Sequence, residues 1–174
     1  MDKKELSSLI VNVKDYPRSG ILFKDITPML NNAVAYNYAI DEMLSIIKKL
    51  YPDVTHIVSP EARGFCFGCP IAVRGGYNFV PVRKPKKLPR ETNTVTYDLE
   101  YDTETLCIHK DALKEGDVVV AVDDILATGG TVMAIETLVK DSKATLKAFV
   151  LLGEIKGLLG STFTKLPIHS VVEL

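Results

Sequence analysis

An α/β fold with a central, mainly parallel sheet flanked by helices is predicted by three features of the chain. The first is the run Val118-Val119-Val120-Ala121-Val122, apolar without alternation, as suits a parallel strand covered on both faces. The second is the order strand, helix, strand between His56 and Arg83. The third is the small-residue segment Thr128-Gly129-Gly130-Thr131, which follows the apolar run and opens a further helical pattern. A small N-terminal hood or cap and a flexible antiparallel loop are expected outside the sheet.

Taken in order, Leu6, Leu9, Ile10 and Val13 fall on one helical face, and Ile40, Met43, Leu44 and Ile47 do so in a second, longer helix. His56 to Ser59 reads as a strand, Gly64 to Arg74 as a helix and Asn78 to Arg83 as a strand, a βαβ unit whose right-handed crossover makes the sheet parallel. From Thr92 to His109, β-branched and aromatic residues alternate with polar ones, which predicts an antiparallel excursion away from the main sheet, read as a mobile hood-like loop. After the Val118 strand, a helix from about Thr131 to Val139 and a strand from Leu146 to Leu152 complete another βαβ unit. Repeats, low-complexity segments and linkers are not evident, so residues 1–174 are expected to form one domain.

Composition narrows the partners. The chain has 174 residues, 47% of them hydrophobic, which suffices for a substantial core. A net charge of −1 gives no long-range attraction to nucleic acid or to an acidic membrane. The N-terminal segment lacks the apolar core of a signal peptide, and no apolar run reaches membrane-spanning length, so a cytoplasmic location is expected. Three cysteines, an odd number, suit a reducing compartment. Cys66 and Cys69 form a Cys-x-x-Cys pair, but no spacing among Cys107, His56, His109 and His169 completes a zinc site. With Phe65, Phe67 and Ile71 around them, they are expected to be buried structural thiols.

The chemistry converges on residues 123–131. Asp123 and Asp124 stand where a strand ends, and two adjacent carboxylates there need donors such as sugar hydroxyls or a nearby cation. Ala127, Thr128, Gly129, Gly130 and Thr131 then offer backbone N–H groups, hydroxyls and the positive end of a helix. A phosphate beside a diol fits this cradle, as in a ribose 5-phosphate. An ATP-binding P-loop does not, because no lysine follows Gly129 or Gly130. An ordinary surface turn after a strand is the plain alternative.

The segment Val118 to Thr131 resembles the phosphoribosyl pyrophosphate (PRPP) signature of the type I phosphoribosyltransferases. Gly20-Ile21-Leu22-Phe23-Lys24-Asp25-Ile26-Thr27-Pro28, Glu61-Ala62-Arg63-Gly64-Phe65, Val82-Arg83-Lys84-Pro85-Lys86-Lys87-Leu88-Pro89 and Leu99-Glu100-Tyr101 are, in that order, similar to the adenine-specific members of that family. The resemblance implies transfer of the 5-phosphoribosyl group from PRPP to adenine, giving AMP and pyrophosphate. Asp123, Asp124 and residues 127–131 would hold the ribose phosphate. Arg63, Arg83, Lys84 and Lys87 would contact pyrophosphate, where a solvated basic loop is the competing view of Arg83 to Lys87. A homodimer sharing the Arg83 loop between subunits is also implied. Leu22, Phe23 and Lys24 would bind the base, with Phe23 stacking on it or else anchoring the cap. Glu100 would be the acid/base in the loop beside Tyr101, or else an exposed strand carboxylate. Mg²⁺ would arrive on PRPP, with no direct protein ligand. Two positions depart from the family pattern: Lys24, where some members carry arginine, and Asp102, where glycine is frequent. Transfer to xanthine, hypoxanthine or guanine, and a PRPP-sensing regulator without turnover, are the alternatives. The regulator would need a DNA-binding element for which there is no room before Gly20.

Overall fold

The structure, a computed structural model, describes residues 1–98, 103–126, 129–155 and 164–174. Its core is a five-stranded parallel sheet ordered β4-β3-β7-β8-β9, from β3 (His56–Pro60), β4 (Asn78–Val82), β7 (Val118–Leu126), β8 (Thr145–Glu154) and β9 (Ile168–Glu173). Helices α3 (Ala33–Leu50) and α4 (Arg63–Gly75) contribute to one apolar cluster with Val120, Val122 and Val150, and α5 (Gly130–Asp141) to a second with Val119, Ala121 and Phe149. Residues on successive positions of β7 thus serve opposite faces, and both are covered, as the unbroken apolar run requires.

The long helix forms for legible reasons. The Asn32 side chain accepts from Val34 N and Ala35 N at 3.1 Å, and Ile40, Met43, Leu44 and Ile47 are all buried. In α4, Gly68 lies so close to β3 that an added Cβ would stand 1.9 Å from Ser59 Oγ, which explains why glycine occupies this point of helix-to-sheet contact.

The N-terminal reading needs correction. Helix α1 (Lys3–Ser8) is short, started by a capping box in which Asp2 and Glu5 each accept from the other's backbone N–H at 2.8 Å. Leu6 and Ile10 are buried as expected, but Val13 is 36% exposed because Val11–Lys14 is a strand, β1, paired antiparallel with β2 (Leu22–Asp25). The Val-x-Val alternation suits a strand, and the turn is closed by Asp15 Oδ1 accepting from Gly20 N at 2.7 Å, with Gly20 at φ +87°. A four-residue helix, α2 (Thr27–Leu30), follows. The edge strand β9 also lies outside the sequence expectation.

The antiparallel excursion is present as β5 (Thr92–Asp98) and β6 (Thr103–His109), separate from the main sheet. Its strands are docked on the core: Leu106 and Ile108 are buried, Val95 and Tyr97 pack against the α5 cluster, and Asn93 Nδ2 donates to Ser142 Oγ at 3.3 Å. The loop joining β5 to β6, with Glu100, Tyr101 and Asp102, lies outside the described residues.

Candidate active site

In this sheet the chain winds one way from β3 to β4 and the other way from β7 through β8 to β9. Ligands of open α/β sheets bind at the carboxyl ends of strands where the order reverses, which here are the ends of β3 and β7. Those ends carry Pro60 to Arg63 and Asp123 to Leu126. The strand does not stop at the acidic pair: Asp123 pairs with Leu151 and Ile125 with Gly153, so both carboxylates stand within β7. Asp123 keeps its place in the ladder, while the Asp124 N–H turns to the Asp123 side chain.

Asp124 is 3% exposed, and Arg63 Nε approaches its Oδ2 at 2.7 Å. That approach is too oblique for a hydrogen bond, so Oδ2 is a buried acceptor awaiting a donor among the described groups. Asp123 Oδ1 accepts from Asp124 N at 2.8 Å. Burial, and then the neighbouring Asp124 charge, push the Asp123 carboxyl well above the ordinary range; burial raises Asp124 too, against the pull of Arg63. A Cβ on Gly64 would come within 2.9 Å of both Asp123 Oδ1 and Pro60 Cδ, so glycine lets α4 begin against the acid pair.

Arg63 joins two regions. Besides Asp124, its Nη1 donates to Lys24 O at 3.2 Å and its guanidinium lies 4.9 Å from the centre of the Phe23 ring. Phe23 is a half-buried residue on β2, with Tyr16 edge-on at 5.0 Å. Leu22 is exposed, and Lys24 Nζ donates to Asn12 Oδ1 at 2.8 Å.

At the end of β4, Arg83 Nε lies 3.3 Å from Glu61 Oε2 and its guanidinium 5.9 Å from the centre of Phe65, while Lys84 N donates to Glu61. Lys84 Nζ reaches Glu104 Oε1 at 3.2 Å, and Lys87 is exposed. Glu61, Tyr97 and Glu104 are site-facing residues that sequence reasoning assigned no role. Glu61 lies inside a motif that was legible, whereas the other two are brought in by the β5–β6 pairing.

Gly129, at φ +85°, caps α5 without a side-chain cap, leaving the first-turn N–H groups of that helix unclaimed by its own cap. A cavity of ≈ 100 Å³ is lined by Asp123, Gly129 and Thr131 with Val132, Ile135 and Phe149 behind them. Ala127 and Thr128 lie outside the described residues. On α4, Cys66 and Cys69 are half-buried rather than buried, and burial pushes both thiols up, which keeps them protonated. Among the described residues no helix is long and apolar enough to cross a membrane.

Residues 29–164 match the family described as phosphoribosyl transferase domain. Over 169 residues the chain is 47% identical to the adenine phosphoribosyltransferase of Synechococcus sp., covering 97% of this chain and 98% of that relative. The chain belongs to the adenine phosphoribosyltransferase family. A solved member of that family from Thermoanaerobacter pseudethanolicus superposes with a TM-score of 0.94 at 44% identity over 99% of both chains. Another, from Saccharomyces cerevisiae, solved with adenine and an imino-altritol bisphosphate, gives 0.93 at 34% identity over 98% of both chains. The α/β fold with its mainly parallel central sheet is thus shared with solved members of the family.

Proposed function

We propose that this chain is a pentosyltransferase of purine salvage that transfers the 5-phosphoribosyl group of PRPP to adenine, yielding AMP and pyrophosphate. The observation that carries this reading is the Arg63 junction, which puts the adenine-type strand Leu22-Phe23-Lys24 next to the acid pair of β7. Base and ribose then meet where they must react.

In the reaction a ring nitrogen of adenine bonds to the anomeric carbon, the carbon–oxygen bond to pyrophosphate breaks, and the ring nitrogen loses its proton. Positive charge develops on the sugar and negative charge on the leaving group, so fixed carboxylates and cations that face each separately stabilise the transition state. Asp123 and Asp124 accept from the ribose hydroxyls; the unfilled acceptor at Asp124 Oδ2 supports this. Thr131 and the N–H groups of residues 127–130 hold the 5′-phosphate. Arg63, Arg83, Lys84 and Lys87 hold pyrophosphate, arginine through bidentate contacts and lysine as a movable charge. Phe23 stacks on adenine while the backbone of Leu22 and Lys24 reads its edge. Glu100, beside Tyr101, takes the proton.

Mg²⁺ enters as part of the substrate, bound to PRPP. The nearest carboxylates fit that role for the ion, because the Asp124 charge is balanced by Arg63 and the Glu61 charge by Arg83, and hard cations keep diphosphate oxygens and water as ligands. The 174 residues act as one domain in the cytoplasm, with free cysteines suited to a reducing compartment.

With PRPP and Mg²⁺ present, adenine is expected to be the preferred acceptor among adenine, guanine, hypoxanthine and xanthine, as judged by the nucleotide formed. A 6-oxopurine exchanges donor for acceptor at the base edge and would leave buried groups unpaired. Comparable turnover of any 6-oxopurine would overturn the adenine assignment, and no nucleotide from any base would favour a PRPP-sensing regulator.

The chain works as a homodimer that shares the Arg83 loop between subunits, with Arg83 reaching the neighbouring site. Mixed dimers of Arg83→Ala and Asp123→Asn chains should then regain one complete site. Absence of recovered activity after verified subunit exchange would instead leave Arg83 serving its own crevice beside Glu61.

A further inference from the structure

Two side chains that face the crevice have no part in the reaction as assigned. Tyr97 and Glu104 stand opposite each other in the β5–β6 register, and the phenol donates to Glu104 Oε2 at 2.9 Å. The other oxygen of that carboxylate accepts from Lys84 Nζ at 3.2 Å. On its far side the phenol faces the Thr131 hydroxyl, in the first turn of α5, which offsets part of the rise that burial gives its pKa. The ring itself packs against the cluster that contains Val132 and Leu106, so the phenol is held by apolar contact as well as by its polar neighbours. Burial keeps its pKa up at about 12, and it therefore carries its proton at neutral pH and has one hydrogen to donate. The result is a chain of groups running from Thr131 through Tyr97 and Glu104 to Lys84.

An exposed lysine–carboxylate pair alone contributes little, because both side chains are free to wander. Here the carboxylate is not free: the half-buried phenol fixes one oxygen and so orients the other. Lysine is a flexible point charge, and ordering it beforehand removes part of the cost of binding an anion. We propose that Tyr97 and Glu104 are positioning residues for pyrophosphate: the phenol fixes the carboxylate, and the carboxylate holds the Lys84 ammonium in register with the phosphate loop at Thr131. This rests on the assignment of Lys84 to pyrophosphate and of Thr131 to the 5′-phosphate.

The test is a double-substitution cycle read in the reverse reaction, with AMP saturating and magnesium pyrophosphate varied. Tyr97→Phe keeps the ring and removes the hydroxyl; it should raise the pyrophosphate KM about tenfold, the scale of one hydrogen bond to a charged group, while the adenine KM in the forward reaction stays unchanged. Lys84→Ala should do at least as much, and the double variant should be no worse than Lys84→Ala alone, since the phenol acts only through the lysine. Glu104→Gln repeats the cycle if Tyr97→Phe does not fold. Multiplying effects in the double variant, or a Tyr97→Phe enzyme with normal pyrophosphate KM beside a weakened Lys84→Ala, would overturn the positioning role and leave the site assignment standing. A normal pyrophosphate KM in Lys84→Ala would overturn both.

Discussion

Replacing Glu100 by Gln is expected to slow turnover by about 10²–10⁴-fold, the usual worth of a positioned general acid or base, with adenine and PRPP affinities little changed. Adenine must give up a proton as its ring nitrogen bonds to ribose, and a carboxylate brought over the purine can accept it, or return it in the reverse direction. Glutamine keeps the shape and loses the base. Single-turnover AMP formation with both substrates saturating, alongside direct binding of each, is the measurement that separates the possibilities. Parent-like chemistry would rule out proton handling, and a parallel collapse of binding would make Glu100 a residue that positions the base.

Asp123→Asn and Asp124→Asn should each lower kcat/KM for PRPP by about 10- to 150-fold, which corresponds to about 1.5–3 kcal/mol for a hydrogen bond to a charged group. Unchanged PRPP kinetics in both would remove the pair from the ribose site. Stability should move the other way for Asp123. Its folded-state pKa is raised by burial and by Asp124. The native state therefore binds the proton more tightly than the unfolded chain does, and the parent loses stability as pH rises from the ordinary carboxylate range through the raised value. Asn cannot ionise and escapes that loss. Asp123→Asn is expected to melt higher than the parent at neutral pH, with the difference shrinking on acidification; an equal melting temperature at all pH values would contradict the direction of the shift. Asp124→Asn should gain less, because Arg63 offsets part of the effect of burial on that carboxyl and the substitution leaves the guanidinium without its carboxylate.

The parts of this fold that were legible in the sequence are those where one local signal decides the outcome. Val118 to Val122 could only be covered on both faces, and the 3.6-residue spacing of Ile40, Met43, Leu44 and Ile47 left one solution for that stretch. Leu6 to Val13 failed because a four-residue strand such as Val11–Lys14 is too short to outvote a helical spacing, and its pairing with Leu22–Asp25 is decided by the turn between them, with Asp15 and Gly20 at positive φ. The acid pair was expected at the end of a strand, since aspartate is poor in strands, yet parallel neighbours at Leu151 and Gly153 hold the backbone extended through it. Asp123, Asp124, Thr131 and Arg63 stand in motifs, and the structure brings them to one crevice. Glu61's hold on Arg83 and the Thr131–Tyr97–Glu104–Lys84 connection are long-range, and no spacing along the chain announces them.

The place of β7 in the sheet bears on how the protein folds. It is the strand that joins β3 and β4 to β8 and β9, and it reaches β3 only after the chain has passed through the whole β5–β6 excursion. Such non-local parallel pairing is slow to form, because loop closure is spent before the contacts repay it. The two carboxylates ride on that same strand, so a half-assembled sheet has no crevice for PRPP to enter. Only the completed sheet can be rewarded by the substrate, by about 2.7 kcal/mol at a concentration one hundred times Kd. Bound substrate thereby favours the assembled sheet as well as feeding the reaction.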